Sequence, residues 1–424
     1  MKNLKTLAAI TGGAIILSIG YAIAVGDQKV DIAIDNDDGR SIRHMVVGDR
    51  GEFILREESR TLEAHWRGDF ELSDDGNSIA SLDHSIEIEL ETDNDTKRVV
   101  FKDKNGDVKK IYYVDDDEQP EGAETDKTIS NLFLQFLRAS GHQSDKRVAA
   151  LLKADGATAV LDELGFLESD HALRRYSVAL SEQADLSTEQ ITELASRLTS
   201  IESDHDLRLA LDAILENETI SAEATPALIN AANNIESDHD LRLLVEAFAE
   251  RPLNDEAMNL AIGLFERIES DHDLRVAAQA LLENSDLDAK QAAKLLRTAA
   301  NEIESDHDMR LILTEIAPMY FKEKLLTDAW IDGFRSLESG HDQRLSIVTV
   351  AEEGGRGIHA WLTLITACED IDSDHDRRLA LQAIADEMDD SPELIAAYRT
   401  AAAMIENSSD RRRALEAIGD EDDD

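Results

Sequence analysis

Residues 201–210 read IESDHDLRLA, and nearly the same words return as IESDHDLRLL from Ile235, IESDHDLRVA from Ile268 and IESDHDMRLI from Ile303. Imidazole and carboxylate groups set this close are the ligand types of zinc and other transition metals. Seven phrases carry the imidazole at the same place: His171, His205, His239, His272, His307, His341 and His375. Asp204, Asp238, Asp271, Asp306 and Asp374 stand immediately before it. These histidines and aspartates are the candidate binding residues. Each phrase supplies one imidazole only, and packed helices lie about 8–10 Å apart whereas zinc ligand atoms converge to about 2 Å from the ion. A metal would therefore have to bridge two phrases. A row of imidazoles in an acidic field is also suited to sensing mildly acidic pH.

No other catalytic pattern accompanies the phrase. The chain has no GxSxG, P-loop, HExxH, CxxC or glycine-rich dinucleotide fingerprint. DKNGD and DNDDG are too short for a calcium-binding EF-hand loop and read as turns. The expectation is a protein without enzymatic activity or a resident cofactor. A weakly held divalent cation on the Asp-His-Asp rows is the second reading, and a regulatory or enzymatic role not visible from motifs is the third.

Aligned on its arginine, the phrase gives Arg174, Arg208, Arg242, Arg275, Arg310, Arg344, Arg378 and Arg412, at intervals of 34, 34, 33, 35, 34, 34 and 34 residues. Two helices of about 13 residues and two short turns fill such a period, so each unit is expected to be an α-hairpin. Five places before each arginine stand Ser169, Ser203, Ser237, Ser270, Ser305, Ser339, Ser373 and Asn407. Ser and Asn share a short side-chain oxygen that caps a helix N-terminus. Asp follows three residues later in most units, as Asp206 follows Ser203, resembling a capping box with Asp in place of Glu or Gln. The first Asp stands four residues ahead of the arginine, the spacing of a surface helical ion pair such as Asp204 with Arg208. The arginines are expected to serve as structural rungs between units.

Apolar columns flank this joint. One runs Leu167, Ile201, Ile235, Ile268, Ile303, Leu337, Ile371, Ile405; the other runs Leu180, Ile214, Phe248, Leu281, Ile316, Val350, Ile384, Ile418. Neither admits a polar residue, so both are expected in the core between stacked units. A third column, just before the arginine, changes from Leu173, Leu207, Leu241, Leu274 and Met309 to Gln343, Arg377 and Arg411. That change predicts burial fading toward the C-terminal end. SPELIAAYRTAAAMI places Ser391 as cap and Pro392 in the first turn of one further helix.

The region before the repeats has a different grammar. SIEIELE alternates from Ser85, and KRVVFKD and VKKIYYVD flank the turn signal Asn105-Gly106, which predicts a three-stranded antiparallel meander. KVDIAI and TLEAHW are expected to add strands. DDDEQPEGAETD reads as a linker. The fold class is therefore α+β: a small antiparallel β domain over 25–122, then an α-hairpin solenoid of about eight 34-residue units over 123–419. Residues 420–424 form an acidic tail.

Residues 1–24 begin MKNLK, run through an apolar stretch and end Ala22-Ile23-Ala24, the small-x-small pattern of a cleaved signal peptide. An uncleaved anchor is the alternative; both put the remainder in the periplasm or outside the cell. Cys368 is the only cysteine, so no internal disulfide forms, and its apolar surroundings predict a core residue. The formal net charge of −47 repels phosphate backbones and anionic lipid, which disfavours nucleic acid and leaves membrane contact to an uncleaved leader alone.

Two stretches, GDFELSDDGNSIASLDHSIEIEL through GDVKKIYYVDD and DKRVAALLKADGATAVLDELGFLESDHALRRYSVAL, resemble exported regions of certain bacterial proteins. Some of those are joined to membrane metallopeptidases of the β-lactam-sensor class. The resemblance implies a β domain followed by helical units carrying an Ile-x-Ser-Asp-aromatic phrase, with His in place of the aromatic residue in this chain. The peptidase part is absent, so no catalytic residue carries over. The helical part is also similar to HEAT-type arrays. Taken together, the sequence predicts an exported scaffold whose acidic surface docks a basic protein, peptide or envelope component.

Overall fold

The computed structural model describes residues 19–22, 30–37, 40–217, 220–285, 287–355 and 357–419. The chain divides into two compact units, Met1–Thr219 and Ile220–Asp424.

The first unit opens with nine antiparallel strands in one sheet. They are β1 (Ile19–Ala22), β2 (Val30–Asp37), β3 (Arg40–Val47), β4 (Arg50–Glu57), β5 (Arg60–Arg67), β8 (Ser85–Thr92), β9 (Thr96–Lys104), β10 (Asp107–Val114) and β11 (Asp117–Glu118), in that spatial order. Between β5 and β8, β6 (Phe70–Leu72) and β7 (Ile79–Leu82) form a separate hairpin. The expected meander is β8–β9–β10, and Asn105 (φ 60°) with Gly106 (φ 91°) makes its tight turn. Both central residues take positive φ, which Asn and Gly tolerate best. Of the segment read as a leader, Ile19–Ala22 pairs with Asp31–Ile34; the rest lies outside the described residues, as does the acidic tail.

The alternation in β8 decides which face is covered. Ile86 and Ile88 are buried, as are Phe53, Leu55, Leu62, Ala64, Val99 and Phe101 on neighbouring strands. Their cover is α1 (Ala123–Ser140), whose Ile129, Leu132, Phe133, Phe136 and Leu137 join the same core. Each of these large apolar side chains contributes about 1.5–3 kcal/mol by leaving water. Thus the first helix of the range expected for the repeats completes the β domain instead. Part of the expected linker is also ordered, as β11.

After α2 (Ser144–Asp155), helices follow in pairs. The first unit holds α3 (Ala157–Leu164) with α4 (Asp170–Gln183) and α5 (Thr188–Leu198) with α6 (Asp204–Leu215). The second unit holds α7 (Thr225–Ala232) with α8 (Asp238–Ala249), α9 (Asp255–Gly263) with α10 (Asp271–Asn284), and α11 (Ala289–Glu302) with α12 (Asp306–Ile316). It continues with α13 (Lys324–Phe334) and α14 (Gly340–Glu353), α15 (Ile358–Ala367) and α16 (Asp374–Glu387), and α17 (Pro392–Ala403) and α18 (Ser408–Glu416). Within each compact unit, odd helices pack on odd and even on even, so the α-hairpins stack in series with their odd and even helices in two rows. The apolar columns line the core; only the end positions Leu167 and Ile418 are half-exposed. Cys368 is buried among them, and burial raises its thiol pKa.

The third column behaves differently from the expectation. Gln343 and Arg377 are buried, so burial does not fade there. Their polar ends instead meet backbone carbonyls at the ends of odd helices. Gln343 Nε2 donates to the Leu337 carbonyl at 2.8 Å, and Arg377 reaches the carbonyls of Cys368 at 3.1 Å and Met404 at 2.8 Å. Orphan carbonyls at a helix end gain donors they would otherwise lack. Only Arg411 is half-exposed, at the last joint.

Candidate functional site

Each phrase starts an even helix, and the serine works as expected. The Ser203, Ser237, Ser270, Ser305, Ser339 and Ser373 hydroxyls accept from the amide three residues on, and Asn407 does the same through Oδ1. The reciprocal arm of a capping box differs. True boxes occur at Ser187/Gln190 and Asp288/Gln291, where a glutamine reaches back to the cap's own amide. Asp is one methylene shorter, and in the phrase that amide is served by the preceding repeat. Asp271 accepts from the Glu304 and Ser305 amides at 3.1 and 2.8 Å, and Asp238 from those of Glu269 and Ser270 at 3.1 and 2.8 Å. Asp170, Asp306 and Asp374 repeat the arrangement on Ser203, Ser339 and Asn407.

The second aspartate of the phrase meets the preceding arginine. Arg275 Nε lies 2.7 Å from Asp308 Oδ1, and Arg174–Asp206, Arg242–Asp273, Arg310–Asp342, Arg344–Asp376 and Arg378–Asp410 are equivalent pairs at 2.5–2.8 Å. These charge-assisted bonds are partly shielded from water. At Asp308, burial pushes the carboxyl pKa up, but the Ser305 hydroxyl and the Arg275 guanidinium outweigh it and hold it below the usual value.

The geometry corrects two expectations. The first aspartate of the phrase does not pair with its own arginine: Asp238, Asp271, Asp306 and Asp374 point along the array and bind backbone amides of the next repeat. The arginine takes its intrahelical partner from the other side, four residues later, as in Arg208–Asp212, Arg242–Glu246 and Arg275–Gln279. These aspartates are therefore occupied joints rather than an open binding row; Asp204 holds the same place at the start of α6. Arg174, Arg242, Arg275, Arg310, Arg344 and Arg378 each form a rung to the following repeat. Arg412, at the last repeat, pairs with its own Glu416 at 3.5 Å.

The histidines share one partner. Arg Nη2 of the same phrase lies 2.9–3.4 Å from Nδ1 of His171, His205, His239, His272, His307, His341 and His375. A guanidinium only donates, so Nδ1 accepts and the ring proton of the neutral imidazole sits on Nε2. In that tautomer Nε2 is a donor, not a metal ligand. Among the described residues, no three His, Cys, Asp or Glu side chains converge as a metal site. His239, His272, His307, His341 and His375 are exposed, and beside them the phrase's first acid is exposed too: Glu236, Glu269, Glu304, Glu338 and Asp372.

His171 departs from its row. It is buried, its ring centroid 5.6 Å from that of His44, which lies 5.8 Å from His142 and 5.8 Å from Trp66. Burial, then the neighbouring His44 and the cations Arg174, Arg175 and Lys146, hold the His171 and His142 pKa values well below the ordinary imidazole value. Nothing in the periodic pattern singles out this position, because its burial comes from the sheet and not from the repeat. His44 and His142 carry no repeat signature at all.

Fold and joint define a class: an α+β protein in which an antiparallel sheet closed by one helix precedes α-hairpin repeats tied by a polar ladder. No family model, no curated protein and no solved structure matches the chain.

Proposed function

We propose that this chain is an exported, non-enzymatic binding scaffold whose acidic repeat surface docks a basic protein or peptide. One observation carries the reading: the ladder turns the phrase's arginines and both its aspartates onto neighbouring repeats, while its glutamates face solvent. Glu269, Glu304 and Glu338 are exposed, whereas Arg275, Arg310 and Arg344 are committed to Asp308, Asp342 and Asp376. The positive charge of each joint is thereby neutralised internally, and the outward field is that of the acid excess in a chain of net charge −47. The likeness to exported regions of sensor-class proteins and the leader-like first 24 residues support an extracytoplasmic setting.

Titration calorimetry with a lysine-rich peptide tests the reading. The full chain is compared at low and high salt with a triple variant, Glu269→Gln, Glu304→Gln and Glu338→Gln. Binding that weakens several-fold with salt and again in the variant supports the proposal. Equal affinity for the variant and the parent chain at low salt would remove its basis.

A further inference from the structure

We propose that the outer edge of β10 is a second docking site, which takes an extended partner segment as an added antiparallel strand. The phase of the ladder identifies the free groups. The two-residue turn at Asn105 and Gly106 makes Lys104 and Asp107 a hydrogen-bonded pair, and such pairs alternate along antiparallel strands. Val108, Lys110 and Tyr112 therefore turn their backbone N–H and C=O groups away from β9. The observed bond from the Gln119 amide to the Tyr112 carbonyl, 2.8 Å on the outer side, has this phase.

Before Tyr112 the edge stays open among the described residues. β11 pairs only with Tyr113 and Val114, and Pro120 then removes a donor and turns the chain toward α1. The β7 strand comes near β10 but shares no ladder with it. Val108 and Lys110 are left with outward backbone groups about 7 Å apart along the strand. The edge borders a cleft of about 370 Å³ lined by residues 108–112 and by the start of α1, including Thr125, Asp126 and Ile129. An edge strand beside such a space is the arrangement used for β-strand addition.

The lining specifies the occupant. Val108 and Tyr112 pack toward the core under α1, and Lys110 reaches Asp126 on that side at 3.4 Å. A residue paired opposite Val108 or Lys110 points its side chain the same way, toward Ile129, so it should be apolar. The cleft's outer rim carries exposed Glu118, Glu121 and Asp126. The alternating residues toward Asp107 and toward Glu118 and Glu121 should then be basic, and the one opposite Lys109 acidic. A second copy of this chain fits poorly, because it would bring Lys109 and Lys110 against themselves.

The test uses hydrogen exchange on the full chain with a Lys-Val-Glu-Val-Lys peptide, its valines opposite Lys110 and Val108 and its glutamate opposite Lys109. Strand addition protects residues 107–114. Methylating the valine amides, which face β10 in this register, should lower affinity at least tenfold, and methylating the lysine amides should not. Lys110→Pro should also lose binding, since its N–H lies outside the β9 ladder and its removal spares the fold; circular dichroism checks that. Equal loss with both methylated peptides, protection on the repeats alone, or self-association through 107–114 would each overturn the proposal. Protection on the repeats alone would leave the acidic docking reading standing.

Discussion

Arg275 binds three side chains at once: Nε lies 2.7 Å from Asp308 of the next repeat, Nη2 2.9 Å from His272, and Nη1 2.5 Å from Gln279. One guanidinium thus fixes the imidazole tautomer, the turn of its own helix and the register of its neighbour. Arg275→Lys should destabilise the protein by about 1–3 kcal/mol, because an ammonium cannot hold this planar fork. Chemical denaturation reads the effect, and Gln279→Ala should cost much less. Equal losses would mean that the inter-repeat arm contributes little.

One internal repeat lacks its first aspartate. Gly340 stands where Asp271 and Asp306 stand elsewhere, so this position offers no carboxylate to the amides of Asp372 and Ser373. A Cβ there would meet Ile371 Cγ2 and Ser373 Cβ at 3.5 Å, ordinary contact. Gly340→Asp should therefore stabilise the protein by about 1–2 kcal/mol, from reduced chain entropy and the restored amide bonds. Gly340→Ala, which gains only the first term, should give about half. A shift in denaturation midpoint without change of slope is the expected signature.

The clustered imidazoles of His142 and His171, each packed on His44, predict acid sensitivity with a definite sign. His142 and His171 have folded pKa values depressed well below about 6.5, so the unfolded chain binds more protons. Their stabilising contribution is full above the unfolded value and is lost as pH falls below it. Thermal unfolding followed between pH 7 and 5 should show the midpoint falling, and His142→Phe should flatten that fall. A parent midpoint independent of pH across this range would contradict the burial described for these rings.

Divalent cations separate the two readings of the phrase. With Arg Nη2 on Nδ1, each exposed histidine presents a donor, so calcium or zinc titration should show no series of equivalent sites that disappears on substituting His239, His272 and His307 by Gln. Several such sites would instead favour cation storage. The same calorimeter run with the lysine-rich peptide keeps the two outcomes distinct.

The period, the caps and the apolar columns were legible in the sequence, because each is enforced locally. Ser305 needs only its own helix to cap Asp308, and Ile303 needs only to be apolar at a joint. The hairpin turn at Asn105-Gly106 was legible for the same reason, since few residues accept positive φ there. The destination of the charges was not. Asp271 and Arg275 lie four residues apart, a spacing that suggests they pair with each other, yet each turns to the following repeat. Stacking places unsatisfied amides and a carboxylate within reach, and those contacts exist only once two repeats are packed. Likewise α1 looks like one more helix of the array, and His171 like one more member of its row. Only the folded chain, by laying the sheet's apolar face against that helix and that ring, assigns both to the β domain.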